Sequence, residues 1–272
     1  MIFSISVCWA ETPDSAQNKS TEFVLWKDIK SAGCDATQLV SCFPNITPTQ
    51  WYISVGVVGG VTTLVATNSI TGFDQHFRNV ALRSQTSVSQ EIFSVANEYG
   101  HTFTGAAIGG GLYFSGVVLG DESIRTTGRL VFESLIVAGI ATTVLKGVIG
   151  RARPYTYMGD ASYNPFSFSN DYYALPSGHA TVAFAVSSVL SERIGNIYVS
   201  VGLYALASSA AMGRMYFDKH WMTDVLLGGF IGTVSGIAVT RAEKRCKADC
   251  GCSEPTVMMY PTFNGFGITC NW

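Results

Sequence analysis

Six apolar stretches constrain the fold of this sequence more than any other feature. They cover residues 51–70, 103–120, 130–149, 180–190, 197–212 and 225–240. Several lie near the lower length limit for crossing a bilayer, and they are rich in Gly, Ala, Ser and Thr rather than in Leu. Small side chains let helices approach closely, both in lipid and in a tightly packed soluble bundle. The pattern predicts an all-α bundle of six helices, each a candidate membrane span.

The composition favours a membrane protein over a soluble one. Charged residues make up 13% of the chain, which is about half of the usual share. Hydrophobic residues reach 47%, and the mean hydropathy is +0.26. The net charge is −2, the pI is near 6.1 and no basic stripe is present, so nucleic acid is not an expected partner. No linker rich in Gly, Pro and Ser divides the chain, which predicts one helical domain, residues 51–240, between two tails.

The two tails carry most of the cysteines. Residues 1–10 resemble a shortened secretory signal, with an ordinary apolar N-terminus as an equal alternative, and residues 11–50 form a polar N-terminal tail. The C-terminal tail is predicted over residues 241–272. Apart from Cys8, the cysteines of the tails are Cys34, Cys42, Cys246, Cys250, Cys252 and Cys270. Their even number predicts disulfides in an oxidising compartment, and a zinc site is the alternative.

Three basic residues and one helix start predict a site for a phosphoryl group. The basic residues are Lys146, Arg153 and Arg214. A phosphoryl group spreads negative charge over three oxygens, so a site for it needs several cationic or N–H donors. Pro176 cannot continue a preceding helix, and the stretch 180–190 is helical in pattern. Ser177 and Gly178 should therefore lie at a helix N-terminus, where backbone N–H groups favour an anion.

Two histidines and an aspartate supply the groups that a covalent mechanism needs. His179 can attack phosphorus to give a phosphohistidine. His220 can protonate the leaving oxygen and then accept a proton from water. Asp224 follows His220 by four residues, so on a helix its carboxylate can hold the imidazole in one tautomer. The ordinary alternatives are a satisfied interior histidine at 179 and a helix-surface His–Asp pair at 220 and 224.

In order and spacing these residues resemble the signature of the type 2 phosphatidic acid phosphatase (PAP2) superfamily, also called the lipid phosphatase/haloperoxidase superfamily. The three motifs are Lys146 followed after six residues by Arg153-Pro154, then Pro176-Ser177-Gly178-His179, then Arg214 followed by His220 and Asp224. The resemblance implies an all-α, six-helix bundle of PAP2 type that spans a membrane. It implies a nucleophile, an acid/base and its orienter, which are His179, His220 and Asp224. It also implies a phosphate cradle of Lys146, Arg153, Ser177, Gly178 and Arg214. Gly213 stands where the family usually has Ser.

The predicted function is hydrolysis of a phosphomonoester or diphosphate, carried by a lipid, through a phosphohistidine. The cationic cradle takes the place of a metal, so neither a metal nor another cofactor is expected. The expected partners are a lipid phosphate substrate and membrane lipids, and no obligate protein partner is evident. Alternatives are a soluble periplasmic acid phosphatase of broad specificity, a vanadium haloperoxidase and, from another class, a non-catalytic membrane scaffold.

The order of the apolar stretches predicts an orientation. Lys146, His179, Arg214 and Asp224 gather at one face, and both tails lie at the opposite face. The resemblance to bacterial lipid phosphatases suggests the bacterial inner membrane with the active site facing the periplasm, and the basic segment 241–247 agrees with cytoplasmic tails. The tail cysteines and the signal-like start disagree with this orientation. A soluble or peripheral periplasmic bundle would remove the conflict.

Two connecting segments are expected near the site. Residues 74–100 are polar and are predicted to lie along a surface. Glu98 and His101 end this part of the chain and either border the site or form an interfacial cap. Residues 155–175 hold seven aromatic side chains, which predicts a belt at headgroup level or a lid, with a packed loop as the alternative.

Overall fold

The structure is a computed structural model that describes residues 24–42, 48–250, 256–262 and 265–271. Nine α-helices lie in that part of the chain: α1 (Val24–Cys42), α2 (Pro48–Thr71), α3 (Phe73–Arg83), α4 (Ser87–Tyr99), α5 (Thr102–Leu119), α6 (Glu122–Ile149), α7 (Gly178–Ile194), α8 (Ile197–Tyr216) and α9 (Met222–Cys250). Two short 3-10 turns, Pro154–Thr156 and Asn170–Tyr172, lie between α6 and α7. Each predicted apolar stretch coincides with one helix, namely α2 and α5 to α9. The prediction of an all-α bundle is confirmed.

Two compact units divide the described chain. The larger unit spans residues 47–237 and contains α2 to α8 with the first half of α9. The smaller unit contains α1, the end of α9 and an antiparallel hairpin of β1 (Thr256–Thr262) and β2 (Gly265–Asn271). Cys34 and Cys246 form a disulfide in this smaller unit, as the tail cysteines predicted. The hairpin was not predicted, and the signal-like segment 1–10 lies outside the described residues.

Local signals fix the helix ends that carry the site. The side chain of Asp121 caps α6 by accepting two backbone N–H groups, and Asn196 caps α8 in the same way. The helix α6 ends at Gly150, whose φ of +58° favours glycine. A Cβ at this position would also collide with the backbone of Asn164. Gly150 therefore permits the sharp turn that brings Arg151 back beneath the start of α9.

Glycines bring α7 and α9 into close contact. Gly228, Gly232 and Gly236 recur every four residues on α9 and face α7. A Cβ at Gly228 would lie 2.5 Å from the carbonyl oxygen of Ser177, so a larger residue would force the helices apart. At the same crossing, the backbone N–H of Ser177 donates to the carbonyl oxygen of Asp224 at 2.9 Å. The contact places the start of α7 beside the start of α9.

Three helices of the described chain are long and apolar enough to cross a membrane. They are α5, α6 and α9 over Met222–Ala248. The pair Ser54–Asn68 and Phe73–Arg83, which is bent by 84°, adds a fourth if it counts as one span. The helices α7 and α8 were also predicted as spans, but they do not meet the same criteria of length and composition. On α5 the side chains of Phe103 and Phe114 are 82% and 71% exposed, as expected of a surface that faces lipid.

Candidate active site

The predicted site residues meet where four helices begin or end. Lys146 lies in the last turn of α6, Arg153 in the loop that follows, Ser177, Gly178 and His179 at the start of α7, Arg214 in the last turn of α8, His220 before α9, and Asp224 in the first turn of α9. Arg153, Arg214 and His220 act electrostatically on His179. Lys146 interacts in the same way with Arg153, Arg214 and Asp224. The larger unit therefore brings all of these side chains into one cluster.

Buried polar atoms in this cluster have no hydrogen-bond partner within the described structure. They are Nε of Arg153, Oγ of Ser177, Nε2 of His179 and Nε of Arg214. An unpaired buried polar group costs about 1–3 kcal/mol, and native proteins rarely keep several of them without a ligand or water. Beside Gly178 the space is open, because a Cβ there would meet nothing within 4 Å. This donor set fits the oxygens of a phosphoryl group.

The imidazole of His179 is held neutral by its surroundings. Burial, together with the positive charge of Arg214, lowers the pKa of His179 to about 3. A neutral imidazole keeps the lone pair that a nucleophile needs. The ring of His101 meets the His179 ring edge-on, with 4.8 Å between the centroids. Of the two alternatives for His101, the structure favours the one in which it borders the site, since its side chain makes no capping hydrogen bond to α5.

The orientation of His220 differs from the one that the sequence predicts. Its Nδ1 lies 2.8 Å from the carbonyl oxygen of Ala174 and 3.6 Å from Oδ2 of Asp224. A carbonyl oxygen only accepts, so Nδ1 carries the proton and Nε2 is left for acid and base work. Both side chains are buried, at 3% and 0% exposure, which rules out the helix-surface pair. Ala174 thus fixes the tautomer, and Asp224 adds a negative charge nearby.

Burial also lowers the pKa of His220 well below its ordinary value. Lys146, Arg153 and Arg214 add to this effect, whereas the hydrogen bond to Ala174 opposes it. The same three positive charges would be offset by a bound dianion. A phosphate ester in the site should therefore raise the pKa of His220 toward the range in which it can donate a proton.

Neighbouring groups hold the cations of the site in place. Nζ of Lys146 donates to the carbonyl oxygen of Tyr173 at 2.5 Å. Nη1 of Arg214 donates to Oδ1 of Asn97 on α4 at 2.8 Å. At Gly213 a Cβ would lie 3.3 Å from a backbone carbonyl of α4, so the missing Ser lets α8 approach α4 closely. No sequence motif includes Asn97, which lies more than a hundred residues before its partner.

The support of Asp224 was also missed. Its Oδ1 accepts from Nη1 of Arg151, and its Oδ2 accepts from the backbone N–H of Trp221, both at 2.8 Å. Arg153 belongs to a predicted motif, whereas Arg151, two residues earlier, had no predicted role. Asp74, in the segment predicted to lie along a surface, is instead fully buried, because its carboxylate pairs with Arg151 at 2.7 Å. The sequence feature that could have pointed to Arg151 was its position two residues before Arg153.

The connecting loop after α6 presents apolar rings to the outside. Tyr157, Phe166 and Phe168 are 82%, 71% and 94% exposed, so the packed-loop alternative does not hold for them. Tyr155, by contrast, is tied down by a hydrogen bond to Asp171 at 3.0 Å. Among the described residues no group of three or more His, Cys, Asp or Glu side chains could hold a metal ion.

Comparisons with known proteins agree with the motifs. The model of the PAP2 superfamily matches residues 128–248, a range that contains all of the predicted site residues. The lipid A 1-phosphatase of Rhizobium etli is 28% identical over 123 residues, which cover 42% of this chain and 51% of that protein. The lipid A 1-phosphatase of Rhizobium johnstonii is 27% identical over 124 residues, which cover 44% and 49%. The chain thus spans about half the length of these curated relatives.

One solved structure shares the fold over most of its length. It is the transmembrane PAP2 type phosphatidylglycerolphosphate phosphatase from Bacillus subtilis, with a TM-score of 0.55 and 20% sequence identity. The match covers 71% of this chain and 97% of that structure. The helical arrangement around the site is therefore one that a solved membrane protein also adopts.

Proposed function

We propose that this chain, whose residues 128–248 match the model of the PAP2 superfamily, is a metal-independent phosphatase that hydrolyses a phosphomonoester or diphosphate of a lipid through a phosphohistidine. The observation that carries this proposal is the set of buried, unpaired polar atoms on Arg153, Ser177, His179 and Arg214. A scaffold without catalysis would have no use for so costly an arrangement.

Substrate binding begins with the phosphoryl oxygens. Arg153 and Arg214 each direct an unpaired Nε into the cluster, and Ser177 adds a hydroxyl. The backbone N–H groups at the start of α7, next to Gly178, add neutral donors and the positive end of the helix. Lys146 contributes a further positive charge. These groups stabilise a transition state whose charge lies on the equatorial oxygens.

The chemistry then proceeds in two displacement steps. Nε2 of His179 attacks phosphorus and forms a P–N bond, the bond from phosphorus to the leaving oxygen breaks, and Nε2 of His220 gives its proton to that oxygen. In the second step a water oxygen attacks phosphorus while His220 takes the water proton, and the P–N bond breaks. Inorganic phosphate leaves, and both imidazoles return to their starting forms.

A lipid is the proposed carrier of the phosphate. The apolar helices and the exposed rings of Tyr157, Phe166 and Phe168 support a substrate at a membrane surface. The relatives' names support a glycolipid phosphate of the lipid A type, and phosphatidate, phosphatidylglycerol phosphate and undecaprenyl diphosphate belong on the same panel. We place the protein in the bacterial inner membrane with the site facing the periplasm. A soluble or peripheral periplasmic protein is the alternative, favoured by the disulfide in the tails.

Phosphate release by the full chain in detergent, measured on lipid and soluble esters, tests the proposal. His179→Ala should lower turnover by about 10³-fold or more, because no neighbouring group can form the covalent bond. The matched control is His76→Ala, which removes an exposed histidine of the same unit. Activity should survive EDTA and be inhibited by vanadate, a mimic of the five-coordinate transition state. Activity of His179→Ala within tenfold of wild type, or a loss in EDTA that zinc restores, would remove the mechanism.

A further inference from the structure

A chain of buried charges lies beneath His220. Nη2 of Arg151 is 2.7 Å from Oδ2 of Asp74, and Nη1 of Arg151 is 2.8 Å from Oδ1 of Asp224. The side chains of all three residues are 0% exposed. Asp224 in turn places its other oxygen 3.6 Å from Nδ1 of His220. The charges thus alternate in sign from α3, through the turn after α6, to the start of α9.

Hydrogen-bond donors surround both carboxyl groups. Asp74 accepts from the backbone N–H and hydroxyl of Thr223, from the side-chain amide of Asn68 and from Arg151. Asp224 accepts from Arg151 and from the N–H of Trp221. None of these partners can accept a proton from either carboxyl group in this geometry.

Arg151 has no freedom to leave this position. Its Nε donates to the carbonyl oxygen of Asp160 at 2.9 Å, and its Nη1 also donates to Oγ1 of Thr223 at 2.7 Å. The guanidinium lies 5.5 Å from the ring centroid of Trp221, whose own Nε1 donates to Ala152. Burying such a group is expensive unless every donor is satisfied. The network is therefore rigid, and its charges sit at fixed distances from His220.

The total charge of this buried group depends on whether His220 is protonated. With both carboxyl groups ionised, Asp74, Arg151 and Asp224 together have a formal charge of −1, and protonation of His220 brings the group to zero. Arg151 weakens the field of Asp224 at the imidazole, and Asp74 weakens the field of Arg151. We propose that Arg151 and Asp74 are positioning residues that set the proton affinity of the His220–Asp224 pair. This inference rests on the proposed function, in which His220 is the acid and base.

Other charged or titratable groups face His220 from every neighbouring element. They are Lys146 from α6, Arg153 from the loop after α6, His179 from α7, Arg214 from α8 and Asp224 from α9. None of these groups is itself removed when Asp74 or Arg151 is changed. A shift in the titration of His220 in these variants then reports the two remote charges.

The test compares Arg151→Gln with Asp74→Asn by the pH dependence of kcat/KM. On the alkaline side of this pH profile, kcat/KM should fall as His220 loses the proton that it must donate. We call this fall the alkaline limb. Removing the positive charge of Arg151 should move this limb to a pH about one unit higher. Removing the negative charge of Asp74 should move it to a pH about half a unit lower, and this shift is smaller because Asp74 is more distant. Arg151→Lys keeps the charge and should leave the limb within about 0.3 units of wild type. The matched control is Arg129→Gln, which breaks the ion pair with Glu133 elsewhere on α6 and should leave the limb unchanged.

Two substrates distinguish His220 from any other titrating group as the origin of the limb. An alkyl phosphate has a poor leaving group and needs the proton of His220, whereas 4-nitrophenyl phosphate does not. The limb and its shifts should therefore be strong with the alkyl ester and weak with the nitrophenyl ester. A limb that is equal with both substrates would assign it to a group other than His220 and overturn the inference.

A structural role alone would give a different result. In that case both variants would lose thermal stability and turnover while their limbs coincided with that of wild type, or both limbs would move in the same direction. If a variant is inactive, NMR of histidine-labelled protein with inorganic phosphate bound gives the titration directly, since the chain has only four histidines. Opposite shifts of His220 by NMR in a chain without phosphatase activity would sink the proposed function and keep the inference. An unchanged titration of His220 in variants that keep phosphatase activity would overturn the inference and leave the proposed function intact.

Discussion

Gly100 offers a sharp test of how closely α4 must approach the nucleophile. The residue adopts φ −82° and ψ −3° at the end of α4, a conformation that alanine accepts without strain. A Cβ at this position would nevertheless lie 2.9 Å from the carbonyl oxygen and 3.0 Å from Cβ of His179. Gly100→Ala therefore pushes directly on the residue that attacks phosphorus.

The contact distances give the size of the effect. Carbon atoms pack at about 3.5–4.0 Å, so the backbone around residue 100 and His179 must separate by at least about 0.5 Å. A misplacement of about 1 Å in an active site can cost about 10²-fold in rate, and half of that shift predicts a loss on the order of tenfold in kcat. KM should change little, because Arg153 and Arg214 stay in place. The overpacking should also lower the free energy of unfolding by about 1–3 kcal/mol.

The assay is steady-state kinetics on one soluble ester, together with thermal unfolding in the same detergent. Gly111→Ala is the control, because it adds the same methyl group on α5, where nothing lies within 4 Å. The control should keep its turnover within about twofold of wild type, since alanine favours the helix and meets no neighbour. If Gly100→Ala turns over as fast as Gly111→Ala, His179 tolerates movement and the reasoning from contact distances fails.

Three further predictions concern charge at the site. Asp224→Asn should lower kcat by on the order of 10² or more with a smaller change in KM, because Asp224 lies beside His220 and Ala174 still holds the tautomer; unchanged turnover would remove its role. Arg153→Ala should raise KM as well as lower kcat, since substrate and transition state both feel its charge, and steady-state kinetics separates the two constants. The unfolded chain binds a proton at His179 below about pH 6.5 and the folded chain only near pH 3, so stability should fall as the pH drops through this window. His179→Asn should flatten that part of a curve of unfolding temperature against pH.

The helical fold was largely predictable because apolar stretches report burial or lipid contact without reference to the rest of the chain. The stretch 180–190, for example, coincides with α7, and the stretch 225–240 lies within α9. The helices α1, α3 and α4 were not predicted, since each mixes polar and apolar residues and much of its surface is exposed. The hairpin after α9 was missed for another reason: short strands in a polar tail depend on pairing with each other, which no single stretch reveals.

The membrane spans were harder to predict than the helices for a physical reason. Helix α7 has 17 residues, and its buried face is built from Ala, Ser, Thr and Val rather than from Leu. Such a helix can be buried among other helices in either solvent, so its hydropathy does not say which solvent surrounds the bundle. Counting apolar stretches therefore gave the helices correctly but overstated how many of them meet the length and hydropathy of a membrane span.

The candidate site contains two kinds of residue: those that would contact a phosphate, and those that hold the contacting side chains in place. The groups that would contact phosphate sit in three short motifs, because donors to one small anion must be matched in type and spacing, and this leaves a local record such as Pro176-Ser177-Gly178-His179. The supporting groups leave no such motif in the sequence. Asp74 lies 77 residues before Arg151, and nothing in either segment records that their charges meet away from water. The role of Ala174 was even harder to predict, since it acts on His220 through a backbone carbonyl oxygen, which every residue possesses. Sequence reasoning assigned the orientation of His220 to Asp224 because a carboxylate is visible in a sequence and a backbone carbonyl is not. For the same reason the proton affinity of His220 should be sought in side chains that no motif includes.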